Sequence, residues 1–153
     1  MELAKEIKQT KPFRNETQQA VVNIMYTNNW LCTKQNKILK KYGISLQQYN
    51  VLRILKGHNP EPIMINGIIE RMLDKMSNAS RLVDKLVQKG YADRSYNEQD
   101  RRACDVFISE KGKVVLEKLN QEMAEMEDAI SGLTEEEAAL LNSLIDRFRN
   151  TQQ

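Results

Sequence analysis

The chain is poor in the residues that punctuate and cross-link proteins: its 153 residues include 6 Gly, 3 Pro, 2 Cys and 1 His. Scarce Gly and Pro exclude a fold of many tight turns and favour long helices. Cys32 and Cys104 are too few for a disulfide framework and read as free thiols. His58, beside Gly57 and Asn59, makes no zinc spacing with them, so it reads as an exposed loop residue and no metal is expected. No apolar run approaches 18 residues, which excludes a transmembrane helix. Met1 to Arg14 is polar and lacks a signal-peptide core. The expected setting is the reducing cytoplasm, away from membranes. A Gly-rich phosphate loop, G-x-S-x-G and H-E-x-x-H are all missing. Catalysis needs a converging set of acids, bases or nucleophiles, so neither an enzyme nor a cofactor is expected.

What is present is an uneven distribution of charge. The totals, 23 Lys+Arg and 21 Asp+Glu, leave a net charge of +2. Residues 1–113 hold 20 basic and 12 acidic side chains, a net +8, whereas residues 114–153 hold 3 and 9, a net −6. A basic body with an acidic end points to a polyanion partner for the first 113 residues.

Hydrophobic periodicity divides the chain into helices and one β-like stretch. Residues 1–15 form a polar arm. A helix over 16–42 carries Val21, Val22, Met25, Trp30, Leu31, Ile38 and Leu39, and Gly43 stops it. Ser45 and Gln48 form a capping box for a second helix, which the stretch Gly57 to Pro62 ends. Ile65 to Met72 is a short apolar helix, and Leu73 to Met76 a turn. Ser77 is the expected N-cap of a fourth helix, with Ala79, Leu82, Val83, Leu86 and Val87 on one face. Asn78, Ser80, Arg81, Asp84, Lys85 and Gln88 form its other face, and Gly90 closes it. Tyr91–Tyr96 and Ala103–Ile108 read as two strands of a hairpin. A helix from Ser109 carries the seam Val115, Leu119, Met123, Met126 and Ile130. Thr134 and Glu137 cap a last helix lined by Ala138, Leu141, Leu144, Ile145 and Phe148.

The order helix, short helix, turn, helix, hairpin describes a mainly α fold with a small β-hairpin wing, a winged helix-turn-helix. Duplex DNA suits it, because one helix fits the major groove and its N-terminal residues meet base edges. Ser77, Asn78 and Ser80 are short hydrogen-bonding side chains at that end, and Arg81 can fork onto guanine or phosphate. Lys85 shares the polar face, and Arg101 and Arg102 sit at the hairpin tip, within reach of a minor groove or backbone. A two-faced helix is ordinarily a solvated surface helix; the ordered set of elements argues for more. A winged-helix module used only for protein–protein contact is the alternative, but it has no need to expose Arg81, Arg101 and Arg102 together.

These residues resemble the multiple-antibiotic-resistance regulator (MarR) family. The likeness runs through Ser77-Asn78-Ala79-Ser80-Arg81-Leu82-Val83-Asp84-Lys85-Leu86, then Gly90-Tyr91 and Arg94, Asp100-Arg101-Arg102, and Ile108-Ser109-Glu110-Lys111-Gly112. Upstream, Gly43-Ile44-Ser45-Leu46-Gln47-Gln48-Tyr49 is similar to the family's G-[LI]-[ST]-x-x-Q-[FY] segment, and the whole likeness spans about residues 16–150. Two departures are Leu73 and Met76, where small residues are common, and Ser80, where Thr is frequent. The resemblance implies one MarR-like domain over 1–153: dimerisation helices at 16–42 and 109–150, and a DNA-binding part at 45–108. It implies a homodimeric repressor of double-stranded DNA, with Ser77, Asn78, Ser80 and Arg81 facing DNA and Arg101 or Arg102 working at the wing. Asp100 is expected to brace Arg102. The two apolar stripes of the last helices support a dimer independently, and two half-sites one turn apart predict a pseudo-palindromic operator. The resemblance also implies release by a small aromatic effector, for which Tyr26, Trp30, Tyr49 and Met72, with Met25, are the candidate pocket. Plain core packing explains the same residues. Cys32, near Lys34 and Lys37, does not match the position of the family's peroxide-sensing cysteine.

Overall fold

The computed structural model describes residues 2–96, 104–130 and 132–150. The chain packs as two compact units, Met1–Met123 and Ala124–Gln153. In the first unit, a short helix α1 (Leu3–Glu6) within the polar arm precedes the long α2 (Glu16–Lys41), whose first turn is capped by the Asn15 side chain accepting from Gln18 N at 2.9 Å. The arm is therefore partly ordered: Leu3 is buried, and the Glu6 carboxylate raises the Tyr26 phenol, through its charge first, then burial and their hydrogen bond.

Helix α2 stops where the sequence placed its stop, for a reason the hydrogen bonds make explicit. Gly43 adopts φ +63°, Gly43 N donates to Lys40 O, and Ile44 N donates to Leu39 O at 3.2 Å, with Leu39 and Ile44 both buried. This is a Schellman closure with its hydrophobic contact. Helix α3 (Leu46–His58) opens on the expected box, Ser45 Oγ accepting from Gln48 N and Gln48 Oε1 from Ser45 N. It runs through Gly57 and ends at His58, inside the stretch from Gly57 to Pro62 expected to stop it. His58 is thus the half-buried last residue of a helix, not an exposed loop residue.

The next stretch adds an element the periodicity did not show. Ile63–Met64 form a short strand β1 that pairs antiparallel with β3 (Cys104–Ile108), Ile63 opposite Val106. Two residues are too short for an alternating pattern, so only the partner strand reveals them. Strand β2 (Ala92–Tyr96) lies on the other side of β3, from Ala92 opposite Ile108 to Tyr96 opposite Cys104. The expected hairpin is thus a three-stranded sheet with β3 in the centre. Between β1 and β2 lie α4 (Ile65–Arg71) and α5 (Ala79–Gln88), both packed on α3. The core joins Val51, Leu52 and Leu55 of α3, Ile68 of α4, Met72, Val83 and Leu86 of α5, and Val106 of β3.

Helix α6 (Glu110–Ile130) follows β3 through a tightly tied junction. Ser109 Oγ donates to Gly90 O at 2.6 Å and accepts from Gly112 N at 2.9 Å, while Ser109 N donates to Tyr91 O at 3.2 Å. The first turn of α6 is thereby clamped onto the end of α5. Its deepest residues are Gly112, Leu116, Leu119 and Met123. The expected seam began at Val115, which is only half-buried; Leu116 takes the core position. In the second unit, α7 (Glu135–Arg149) begins at the expected box of Thr134 and Glu137 and buries none of its residues.

One contact fixes α2 against α6 and carries a pH dependence. Glu122 accepts from Lys41 Nζ at 2.7 Å and from Tyr42 Oη at 2.5 Å. The hydrogen bonds from Lys41 and Tyr42 lower its carboxyl, and the same bond raises the Tyr42 phenol. A lowered carboxylate contributes stability above its unfolded value, about 4.3, and loses it as pH falls through the folded value. Urea midpoints of Glu122→Gln should therefore lie below those of the parent chain at neutral pH and converge with them in acid. A gap that is unchanged by pH would contradict this assignment.

Candidate nucleic-acid interface

Helix α5 is amphipathic in the sense a recognition helix requires. Ala79, Val83 and Leu86 are buried against the core, whereas Ser80, Arg81, Lys85 and Gln88 are exposed. The N-cap is Asn78, not Ser77: Asn78 Oδ1 accepts from Arg81 N at 3.0 Å. The reason lies one turn upstream. Asp74 Oδ2 accepts from Ser77 Oγ at 3.0 Å, Asp74 Oδ1 from Met76 N at 3.0 Å, and Asp74 O from Ser77 N at 3.3 Å. Ser77 is thus half-buried and occupied in the turn. The turn is tied at its start as well, Leu73 N donating to Asn50 Oδ1 of α3 at 2.9 Å.

The exposed side chains on α5 differ in how they are held. The Arg81 guanidinium and Lys85 ammonium have no ion-pair partner among the described residues. Arg94 of β2, by contrast, forms an ion pair with Asp84 of α5 and points Nη2 at Ser80 O, 3.5 Å away. It staples the wing strand onto α5. The sequence alone gives it no role, although Asp84 and Arg94 both stand in the family-like segments; the pairing needs the packing of β2 against α5. The expected brace of Asp100 on Arg102, and Arg101 with them, lie outside the described residues.

The four residues expected to line an effector pocket separate. A cleft of about 440 Å³ lies between α2, α3 and the turn before α5. Tyr49 and Met72 line it, together with Asn28, Cys32, Arg53 and Leu73. Tyr26 and Trp30 do not. Tyr26 faces Glu6, and the Trp30 ring carries Lys34 Nζ 4.7 Å from its centre. Cleft residues Asn28, Cys32 and Gln35 follow one helical stripe, and Tyr26 and Trp30, two positions earlier, point about 200° away from it. The Arg53 guanidinium lies 5.8 Å from the centre of the Tyr49 ring, and Tyr49 Oη donates to Asn120 Oδ1 at 2.7 Å.

The geometry has relatives. A MarR-family model matches residues 42–103, which hold the capping box of α3, the short α4, the turn, α5 and strand β2. The transcriptional regulator MhqR of Bacillus subtilis is 30% identical over 113 residues, 73% of this chain and 77% of MhqR. The chain belongs to the MarR family. The transcriptional repressor MdtR of the same organism is 35% identical over 100 residues, 65% of this MarR-family chain; the match spans 63% of MdtR. The winged-helix fold is shown by a mutant E. coli MarR crystallised with operator DNA, with a TM-score of 0.74 at 22% identity, covering 90% of this chain and 99% of that one.

Proposed function

We propose that this chain is a sequence-specific regulator of transcription that binds double-stranded DNA as a homodimer and represses from a pseudo-palindromic operator. The observation that carries this reading is α5 itself: a well-capped helix, apolar side fixed in the core, with Ser80, Arg81 and Lys85 exposed beside a stapled wing strand. Exposed cations of this kind recognise a phosphate backbone and, through Arg81, the edge of guanine. Ser77 and Asn78 contribute mainly by shaping the helix start, whose free N–H groups can take a phosphate. Arg101 or Arg102 is assigned to the adjacent groove. Binding of a short duplex followed at several salt concentrations tests the reading: affinity should fall steeply, with a slope set by the number of phosphates contacted. No binding to any duplex, or binding without sequence preference, would favour the protein-contact module.

The dimer reading rests on apolar side chains exposed in the single chain. Leu141, Leu144 and Phe148 of α7 lie three or four positions apart, and Val21, Ile24 and Met25 are exposed on α2. Exposed apolar stripes on helix faces mark interfaces, and a second copy of this chain is the proposed cover of each. Leu144→Asp should convert the dimer to monomer in sedimentation and remove operator binding; a dimeric Leu144→Asp protein would rule out this face. Dimerisation is assigned to 16–42 and 109–150, and DNA binding to 45–108. For release, the cleft beside Tyr49 and Met72 is assigned to an effector, and Arg53 gives it a counter-ion for the acid group of a small aromatic acid.

A further inference from the structure

Two large apolar side chains stand almost wholly in solvent immediately before the recognition helix: Leu73 is 89% and Met76 93% exposed. Single exposed apolar residues are ordinary, but turns of this kind are usually built from Gly, Asn, Asp or Ser. Nor is the turn loose. Asp74 holds Met76 N and Ser77 Oγ, Asn50 holds Leu73 N, and Lys75 Nζ donates to Glu70 O at 2.5 Å. Its polar atoms are tied inward while the Met76 thioether projects outward, two residues ahead of the Asn78 cap. The exposed cations Arg71, Lys75, Arg81 and Lys85 surround it in sequence. That charge suits a polyanion, and the only apolar group a duplex displays in its major groove is the thymine 5-methyl.

We propose that Met76 reads a thymine by packing its side chain against the 5-methyl group in the major groove, and so sets specificity at one base pair of each half-site. The inference rests on the DNA-binding reading of α5. Met is unbranched and polarisable, which suits contact with a methyl group of variable position. Fully burying one methyl is worth about fourfold in affinity.

The test uses the full chain and a duplex selected by it from random sequences. Each thymine is replaced in turn by deoxyuridine, which differs only in lacking the methyl. One position per half-site should bind about fourfold more weakly when replaced, and Met76→Ala should bind the thymine duplex about fourfold more weakly than the parent. In Met76→Ala the deoxyuridine penalty at that position should vanish, while helix content stays unchanged. A selected duplex indifferent to every deoxyuridine replacement, or a penalty that survives in Met76→Ala, overturns this inference alone. Failure to select any duplex overturns the DNA-binding reading and this inference with it.

Discussion

Arg81→Ala should reduce affinity for a selected operator by about 10- to 100-fold while leaving the fold intact. A good side-chain pair with a base edge is worth about 1–3 kcal/mol of discrimination, and Arg81 is free to make one. Its backbone N–H is held by Asn78, which fixes the first turn of α5, while its exposed guanidinium has no ion pair among the described residues. The neighbouring Arg94 shows the contrast, because Asp84 already holds it. The loss at Arg81 should be uneven across sequences, relaxing preference at one base pair. Lys85→Ala, by comparison, should weaken all sequences alike and lower the salt slope by about one. Anisotropy titrations on the selected operator and its single-base variants separate the two. Equal losses across every variant for Arg81→Ala would make it a phosphate contact only.

Gly112→Ala should be among the most destabilising small changes in the chain, about 3 kcal/mol, near the top of the overpacking range. A Cβ at this position would fall far inside contact distance of the Tyr91 carbonyl oxygen and 3.0 Å from Ile108 Cγ1. The carbonyl cannot move aside, since it accepts from Ser109 N and belongs to the residue that closes α5, where Gly90 sits at φ +74°. For a chain of this size the melting midpoint should fall by on the order of 10 °C. Gly57→Ala is the internal control. It lies inside α3, a Cβ there meets nothing within 4 Å, and the change should raise stability by about 0.5–1 kcal/mol. Thermal scans of the two variants should move in opposite directions; a Gly112→Ala protein as stable as its parent would show that the junction yields more easily than described.

The junction also shows why parts of this chain were legible from sequence. In the sequence, the segment Ile108-Ser109-Glu110-Lys111-Gly112 reads as a family-like motif at a helix start. In the structure its Ser bridges Gly90 O and Gly112 N, and its Gly makes room for a backbone oxygen. Capping boxes at Ser45 and Thr134 were readable because their partners lie three residues away. Features set by distant partners were not. Ser77 looks like an N-cap until Asp74 claims its hydroxyl, and the choice passes to Asn78. Strand β1 exists because β3 offers it an edge, and Arg94 matters because β2 packs beside Asp84. For the cleft, composition suggested aromatic residues on α2, but the helix's rotation decides, and it presents Asn28 and Cys32 instead of Tyr26 and Trp30. The charge division along the chain fits the same architecture, the basic residues around α5 in the first unit and the acidic run in and before α7.

The central claim, that α5 reads duplex DNA in a symmetric pair, is tested most directly by selecting bound sequences from random duplex with the full-length chain. The account predicts enrichment of a pseudo-palindrome whose half-sites are centred one helical turn apart, about 10 base pairs, with a conserved guanine or thymine in each half. Enrichment of no sequence, or of a single asymmetric motif, would contradict it.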